Sequence, residues 1–186
     1  MSKTGRSTEP VTLSRDCPAT TVPQGVPVIL PKGEVVLVQQ TLGGSITVVR
    51  ELGGLVRIDE AHADALGIDT TERKVAIAGR SQPFHMDRVF EQLDTVYDPE
   101  IPISILELGL VYRCEEVVRD DGTRLIEIDM SMTAPGCGMG DVLREDAARV
   151  VRTVSGVDDV LVELVWEPPW TMERMSEEAK LQLGMF

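Results

Sequence analysis

The stretch Arg124-Leu125-Ile126-Glu127-Ile128-Asp129-Met130-Ser131-Met132-Thr133-Ala134-Pro135-Gly136-Cys137-Gly138-Met139-Gly140-Asp141 decides the fold of the second half of the chain. Ile126, Ile128, Met130 and Met132 fall on one side of an extended backbone, and Glu127, Asp129 and Ser131 fall on the other. That period of two predicts a strand with one covered face and one wet face. After the glycines, Leu143, Ala147, Val150, Val151 and Val154 recur at helical spacing, so a helix is expected over about Met139 to Val154.

Upstream, a first strand from about Leu110 to Val118 is joined to this one through Asp120-Asp121-Gly122, a hairpin turn sequence. Before it, Met86, Val89, Phe90, Leu93 and Val96 mark a helix that Asp98-Pro99 brings to an end. Downstream, Val160 to Trp166 reads as a third strand stopped by Pro168-Pro169. A strand-helix-strand connection places its strands parallel with a right-handed crossover. Ser176-Glu177-Glu178 caps a short last helix ending near Gly184. Residues 84–186 are thus expected to form a helix-strand-strand-helix-strand sandwich on a mixed sheet.

Ahead of Gly79-Arg80-Ser81-Gln82-Pro83, where the boundary is placed, short β-branched runs recur at Val26 to Leu30, Glu34 to Gln40, Ser45 to Leu52, Leu55 to Asp59 and Lys74 to Ala78. Gly43-Gly44 and Gly53-Gly54 supply the positive φ that hairpin turns need. A small antiparallel sheet or open barrel over residues 11–83 follows, interrupted by a helical turn or two around Glu60 to Leu66, with residues 1–10 as a flexible tail. The fold class is α+β in two small domains.

Composition narrows function. The chain has 186 residues, 42% hydrophobic and 26% charged, enough to bury a core. Its net charge of -13 is uneven: residues up to Pro83 hold 9 basic and 9 acidic side chains, and those from Phe84 onward hold 9 and 22. Such an excess repels phosphates, which argues against nucleic acid as a partner. The absence of any long apolar run argues against a membrane segment, and the polar start argues against a secretory signal. Three widely spaced cysteines, at 17, 114 and 137, suit reduced thiols and a cytoplasmic location.

The residues able to do chemistry centre on Cys137. A cysteine at the first turn of a helix feels free backbone N–H groups and the positive end of the helix dipole, which favour the thiolate. Gly136, Gly138 and Gly140 clear side chains from around it, and a soft, accessible thiolate suits iron or an iron-sulfur cluster. The competing reading is a glycine-rich turn with an incidental buried cysteine. Asp98, Glu100 and Glu107 form an acidic turn that either serves a metal or thiol or simply ends a helix. Cys17, in Arg15-Asp16-Cys17-Pro18-Ala19, is a second sulfur ligand or a loop cysteine without function. Cys114 reads as strand packing, His62 and His85 as surface residues, and Met130 and Met132 as core. Trp166-Glu167-Pro168-Pro169-Trp170 is either a partner anchor or packing against the domain's own edge. The sequence holds no phosphate loop, dinucleotide fingerprint or nucleophile elbow.

Four motifs in order give a further reading. Asp98-Pro99-Glu100-Ile101-Pro102, Ser104-Ile105-Leu106-Glu107-Leu108-Gly109-Leu110-Val111-Tyr112, Met132-Thr133-Ala134-Pro135-Gly136-Cys137 and Trp166-Glu167-Pro168-Pro169-Trp170 resemble the PaaD-like and SufT-like family of iron-sulfur cluster assembly. Many members carry proline directly after the cysteine; Gly138-Met139-Gly140 here looks like the SufT branch, as does the leading Arg15-Asp16-Cys17-Pro18-Ala19. The resemblance implies a non-enzymatic maturation factor working beside Suf assembly proteins and iron-sulfur clients. Cys137 would be the reactive or cluster-binding residue, with Thr133, Gly136, Gly138, Asp98, Glu100 and Glu107 in support. A transient iron-sulfur cluster wants about four thiolates. Two chains each giving Cys137 and Cys17 would supply them, which makes a homo-oligomer an expectation. A metal-free adaptor and a thiol nucleophile are the other two readings.

Overall fold

The computed structural model describes residues 10–42, 44–69, 83–134 and 138–185. The chain divides into two compact units, Met1–Gly79 and Arg80–Phe186.

The first unit is a six-stranded antiparallel sheet: β1 (Pro10–Thr12), β2 (Cys17–Val22), β3 (Pro27–Leu30), β4 (Val35–Leu42), β5 (Ser45–Arg50) and β6 (Leu55–Asp59), in the order β1-β4-β5-β6-β2-β3. Leu42 pairs with Ser45 across the first glycine turn, and Gly53 and Gly54 take φ of 86° and 96° in the second. A 3-10 helix follows over Glu60–Leu66, capped by Asp59, whose side chain accepts from the Ala61 N–H, and closed by Gly67 at φ 69°. Leu13, Cys17, Leu30, Val36, Ile46, Val48, Val56 and Ile58 make the core, with Ala63 and Ala65 from the 3-10 turn packed against it.

Two strands here escape the sequence reading. Pro10, assigned to the tail, opens β1 and pairs with Leu37, and the polar-looking Cys17-Pro18-Ala19-Thr20-Thr21-Val22 is β2, bonded to both β3 and β6. Threonine and proline mask the alternation in β2, because what keeps it in place is its two neighbours. The strand expected at Lys74 to Ala78 lies outside the described residues.

In the second unit α1 (Met86–Leu93) precedes β7 (Val111–Val118), β8 (Arg124–Met130), α2 (Gly140–Val151), β9 (Asp159–Leu164) and α3 (Glu177–Gln182). The sheet order is β7-β8-β9, with β7 antiparallel and β9 parallel to β8. This is the mixed sheet the sequence predicts, within an α+β fold. α1 is shorter than its apolar spacing: it stops at Leu93, where the Asp94 carboxylate takes the Ser104 hydroxyl at 2.6 Å, and Val96 is buried beyond the helix end. α2 packs on the even-numbered face of β8, since a Cβ on Gly140 would lie 3.2 Å from Leu164 Cδ1 and 3.6 Å from Met132 Cγ. Ile126, Ile128, Met130 and Val162 are buried on that face. Glu127 and Asp129 face the other way, partly exposed, as expected. Ser131, expected on the wet side, is instead 1% exposed.

Candidate functional site

The four motifs collect at one end of the β7-β8-β9 sheet, for a topological reason. β8 and β9 run parallel and end there, so the segments after them, 131–140 and 165–170, leave from the same end; β7 runs the opposite way and begins there, so 98–110 arrives at it. Backbone bonds tie the three together: Ser131 N–H donates to Leu110 O at 2.8 Å, and Val165 N–H to Met130 O at 2.8 Å. The carboxyl ends of parallel strands, where a helix begins, are a recurrent location for ligand sites in α/β proteins.

The strand-to-helix turn itself is anchored on both sides. Met132 is 2% and Met139 1% exposed, pinning the turn to the core, while Ala134 and Gly138 beside its centre are exposed and Thr133 is half-buried. Gly136 and Cys137 lie outside the described residues. α2 begins at Gly140, with Met139 as its cap residue and no side chain capping it. In sequence Cys137 precedes Gly140, the first residue of α2, by three positions.

Asp98 is 5% exposed in the loop before β7. Its Oδ1 accepts from the N–H groups of Glu100 at 2.8 Å and Ile101 at 2.9 Å, an arrangement that folds the Asp-Pro-Glu-Ile turn back on its own first residue. Burial raises its carboxyl above the ordinary range, and the two N–H bonds oppose that rise. Glu100 is exposed, so the two acids of this motif divide: one structures the turn and one meets solvent. Glu107 is half-buried, its N–H bonded to Ser104 Oγ at 3.2 Å and its C=O accepting from Ser176 N–H at 2.8 Å.

Ser104 is a residue the sequence reading passes over. Only 1% exposed, it bridges the Asp94 carboxylate and the Glu107 N–H, linking the end of α1 to the acidic loop. The one available signal was its place in the Ser104 to Tyr112 motif.

The C-terminal segment closes over this loop. Trp170 Nε1 donates to Leu108 O at 2.8 Å, Arg174 Nε to Gly109 O at 3.3 Å, and the Arg174 guanidinium sits 3.8 Å from the Tyr112 ring centroid. Gly109, at φ 67°, has no room for a side chain: a Cβ there would collide with the backbone carbonyl of Arg174. Trp170 thus packs against its own domain, whereas Trp166 remains 45% exposed. Among the described residues, two buried hydroxyls, Tyr112 OH and Ser131 Oγ, have no hydrogen-bond partner.

The other two cysteines are structurally occupied. Cys17 opens β2 at 0% exposure, and burial pushes its thiol up, with Arg15 opposing and Asp64 adding to the rise. Its sulfur is a core atom at 3.6 Å from Pro18 O, not an accessible ligand, and the loop assigned to it from sequence is a strand. Cys114 lies in β7 opposite Ile128, and burial, with Glu115 nearby, pushes its thiol up to about 11. Among the described residues no group of three or more His, Cys, Asp or Glu side chains is arranged to hold a metal. His62 stands 3.4 Å from an Arg15 guanidinium nitrogen at the surface of the first unit.

Residues 86–164 match the family described as iron-sulfur cluster assembly protein. An Fe-S protein maturation auxiliary factor of Porphyromonas gingivalis is 43% identical over 96 residues, which cover 52% of this chain and 88% of that protein. The chain belongs to the iron-sulfur cluster assembly protein family. The Fe-S protein maturation auxiliary factor SufT of Staphylococcus aureus is 40% identical over 90 residues, 48% of this chain and 98% of that relative, which is therefore about half as long as the present chain. Among solved structures, a domain of unknown function from Bacillus anthracis is 37% identical, covers 54% of this chain and 92% of its own, and has a TM-score of 0.46. The family match begins at α1 and ends with β9, so it takes in the acidic loop, the strand-to-helix turn and Cys137.

Proposed function

We propose that this chain is an auxiliary maturation factor for iron-sulfur proteins, acting with the Suf assembly system, in which Cys137 transiently receives iron or a labile cluster and passes it on. The observation that carries this reading is the gathering of the family's motifs at one end of one sheet, around a turn whose flanks at Ala134 and Gly138 are open to solvent while Met132 and Met139 anchor it. A thiolate between those exposed flanks would meet a cargo and a partner at once. The cluster is cargo in this scheme, and the remaining thiolates come from the donor or client, because Cys17 would require β2 to open before it became a ligand. In this reading Glu100 and Glu107, on the loop that enters the same sheet end, would take or give protons as thiols are exchanged.

Anaerobic reconstitution with iron and sulfide tests the cargo role. Wild type is expected to gain a visible charge-transfer band and bound iron, and Cys137→Ala neither, with unchanged far-ultraviolet circular dichroism. If both proteins stay colourless and iron-free, cargo binding is wrong. The exposed Trp166 favours a second reading, a metal-free adaptor between scaffold and client. Undiminished capture of Suf components by Cys137→Ser, together with failed reconstitution, would select it.

A further inference from the structure

The face of the β7-β8-β9 sheet opposite α2 has its own pattern. Register places Glu115, Glu127 and Leu161 in one row across the three strands, and Arg113, Asp129 and Glu163 in the next. Side chains of one parity share this face, so Glu115, Glu127, Asp129 and Glu163 lie on it with Arg113, while the same-parity Asp159 is paired with Arg119 at 2.8 Å. Arg113 is fully engaged: Nε reaches Asp129 Oδ2 at 2.7 Å, and Nη1 reaches Glu127 at 3.0 Å and Glu115 at 3.1 Å. Like charges directly opposite each other, as at Glu115 and Glu127, destabilise a sheet. Here Arg113 bridges them, and the face still keeps a surplus of negative charge. In the same patch Leu161 is 45% exposed on the last strand of the sheet, beside an exposed Glu163. Ser131 continues this parity at the end of β8 and holds a buried hydroxyl with no partner among the described residues.

We propose that this face docks a lysine- and arginine-rich protein segment that places one aliphatic side chain on Leu161 and its cations against Glu115, Glu127, Asp129 and Glu163. Charge selects this occupant. A second copy of the chain carries the same face and a net charge of -13, so it is repelled. The residues up to Pro83 carry as many basic as acidic side chains and offer no surplus cation. Nucleic acid is excluded by the sign of the field. An exposed leucine on the edge strand, beside Glu127 and Glu163, fits an amphipathic basic segment, with contact area supplied by Leu161 and register by the charges. This docking does not depend on what Cys137 carries, so its failure leaves the cargo reading untouched.

The test uses fluorescence anisotropy with a labelled leucine-lysine amphipathic peptide and its leucine-glutamate counterpart, on the full chain. The lysine peptide is expected to bind, more weakly as salt screens the contact, and the glutamate peptide not to bind. Leu161→Ser with Glu163→Lys should weaken binding about tenfold, a loss of about 1.4 kcal/mol. Leu181→Ser with Glu173→Lys makes the same change of charge and apolar area at other exposed positions and should leave the affinity within about twofold, on the order expected for residues outside a contact. Amide shifts on titration should centre on Glu127, Leu161 and Glu163. Equal loss in both variant pairs, equal binding of both peptides, or no binding of either would overturn the proposal.

Discussion

The two sheets of this protein handle their surfaces in opposite ways. The first joins six antiparallel strands around a core that takes in even its cysteine, at 0% exposure. The second has three strands, covers one face with helices, leaves the other acidic and partly open, and gathers its loops at one end. A cysteine in the first environment is raised in pKa and packed away. The turn that carries Cys137 belongs to the second, flanked by exposed Ala134 and Gly138. Residue type alone therefore says little about thiol chemistry, and neither does the sheet: Cys114 in β7 is also pushed up by burial, so the surroundings of each sulfur decide it.

The sharpest way to break this comparison is through glycine. Gly109 and Gly53 both have positive φ, but only Gly109 faces a backbone carbonyl, that of Arg174. Gly109→Ala should cost on the order of 3 kcal/mol, combining backbone strain with displacement of the C-terminal segment. Gly53→Ala, with open space around it, should cost about 1 kcal/mol. Urea unfolding of the two variants reads the difference, and equal costs would mean that the C-terminal segment does not bear on Gly109.

Next in size is Cys17→Ser, which places a hydroxyl in the apolar core of the first sheet and should cost about 2 kcal/mol by the same measurement. In the native protein at neutral pH, mass-resolved alkylation should leave Cys17 unmodified until denaturant is added. Rapid labelling of Cys17 would show that β2 opens readily and would return it to the set of available ligands.

Trp170→Phe removes the bond to Leu108 O while keeping an aromatic ring, and should lower stability by about 1 kcal/mol. Faster hydrogen exchange at Leu108 to Leu110 would locate the effect in the loop entering β7.

Asp98→Asn gives the smallest effect, and its sign is informative. The buried carboxyl holds its proton more tightly in the folded protein than in the unfolded chain. Its favourable contribution is therefore complete below the ordinary carboxylate pKa and fades as pH rises through the raised folded value. Asparagine keeps the Oδ1 acceptor for the Glu100 and Ile101 N–H groups without the buried charge. Thermal melts should place Asp98→Asn at or above wild type at neutral pH, with the gap closing in acid. A lower Tm at neutral pH would show that the ionised form is needed in the turn.

Much of the second unit was legible because its elements advertise themselves locally. The alternation through Ile126, Ile128 and Met130, the Asp120-Asp121-Gly122 turn and the apolar stripe of α2 each depend on neighbours close in sequence. β2 was not legible, because Cys17 to Val22 is extended only through bonds to β3 and β6, and neither leaves a mark in the residues themselves. The acidic loop was legible as a motif but not as a structure: that Asp98 folds the turn while Glu100 meets solvent follows from burial, which spacing does not encode.

The sequence by itself determined the strand before Cys137 and the helix after it, the α+β class and the acidic excess, since periodicity and charge are properties of short stretches. Only the tertiary structure decided that Cys17 is sealed in a core, that Ser104 and the C-terminal segment brace the Glu107 loop, and that four carboxylates share one open face with Leu161. Those facts come from pairings between residues far apart in the chain, and long-range register is fixed by the packing of the whole rather than by any local pattern.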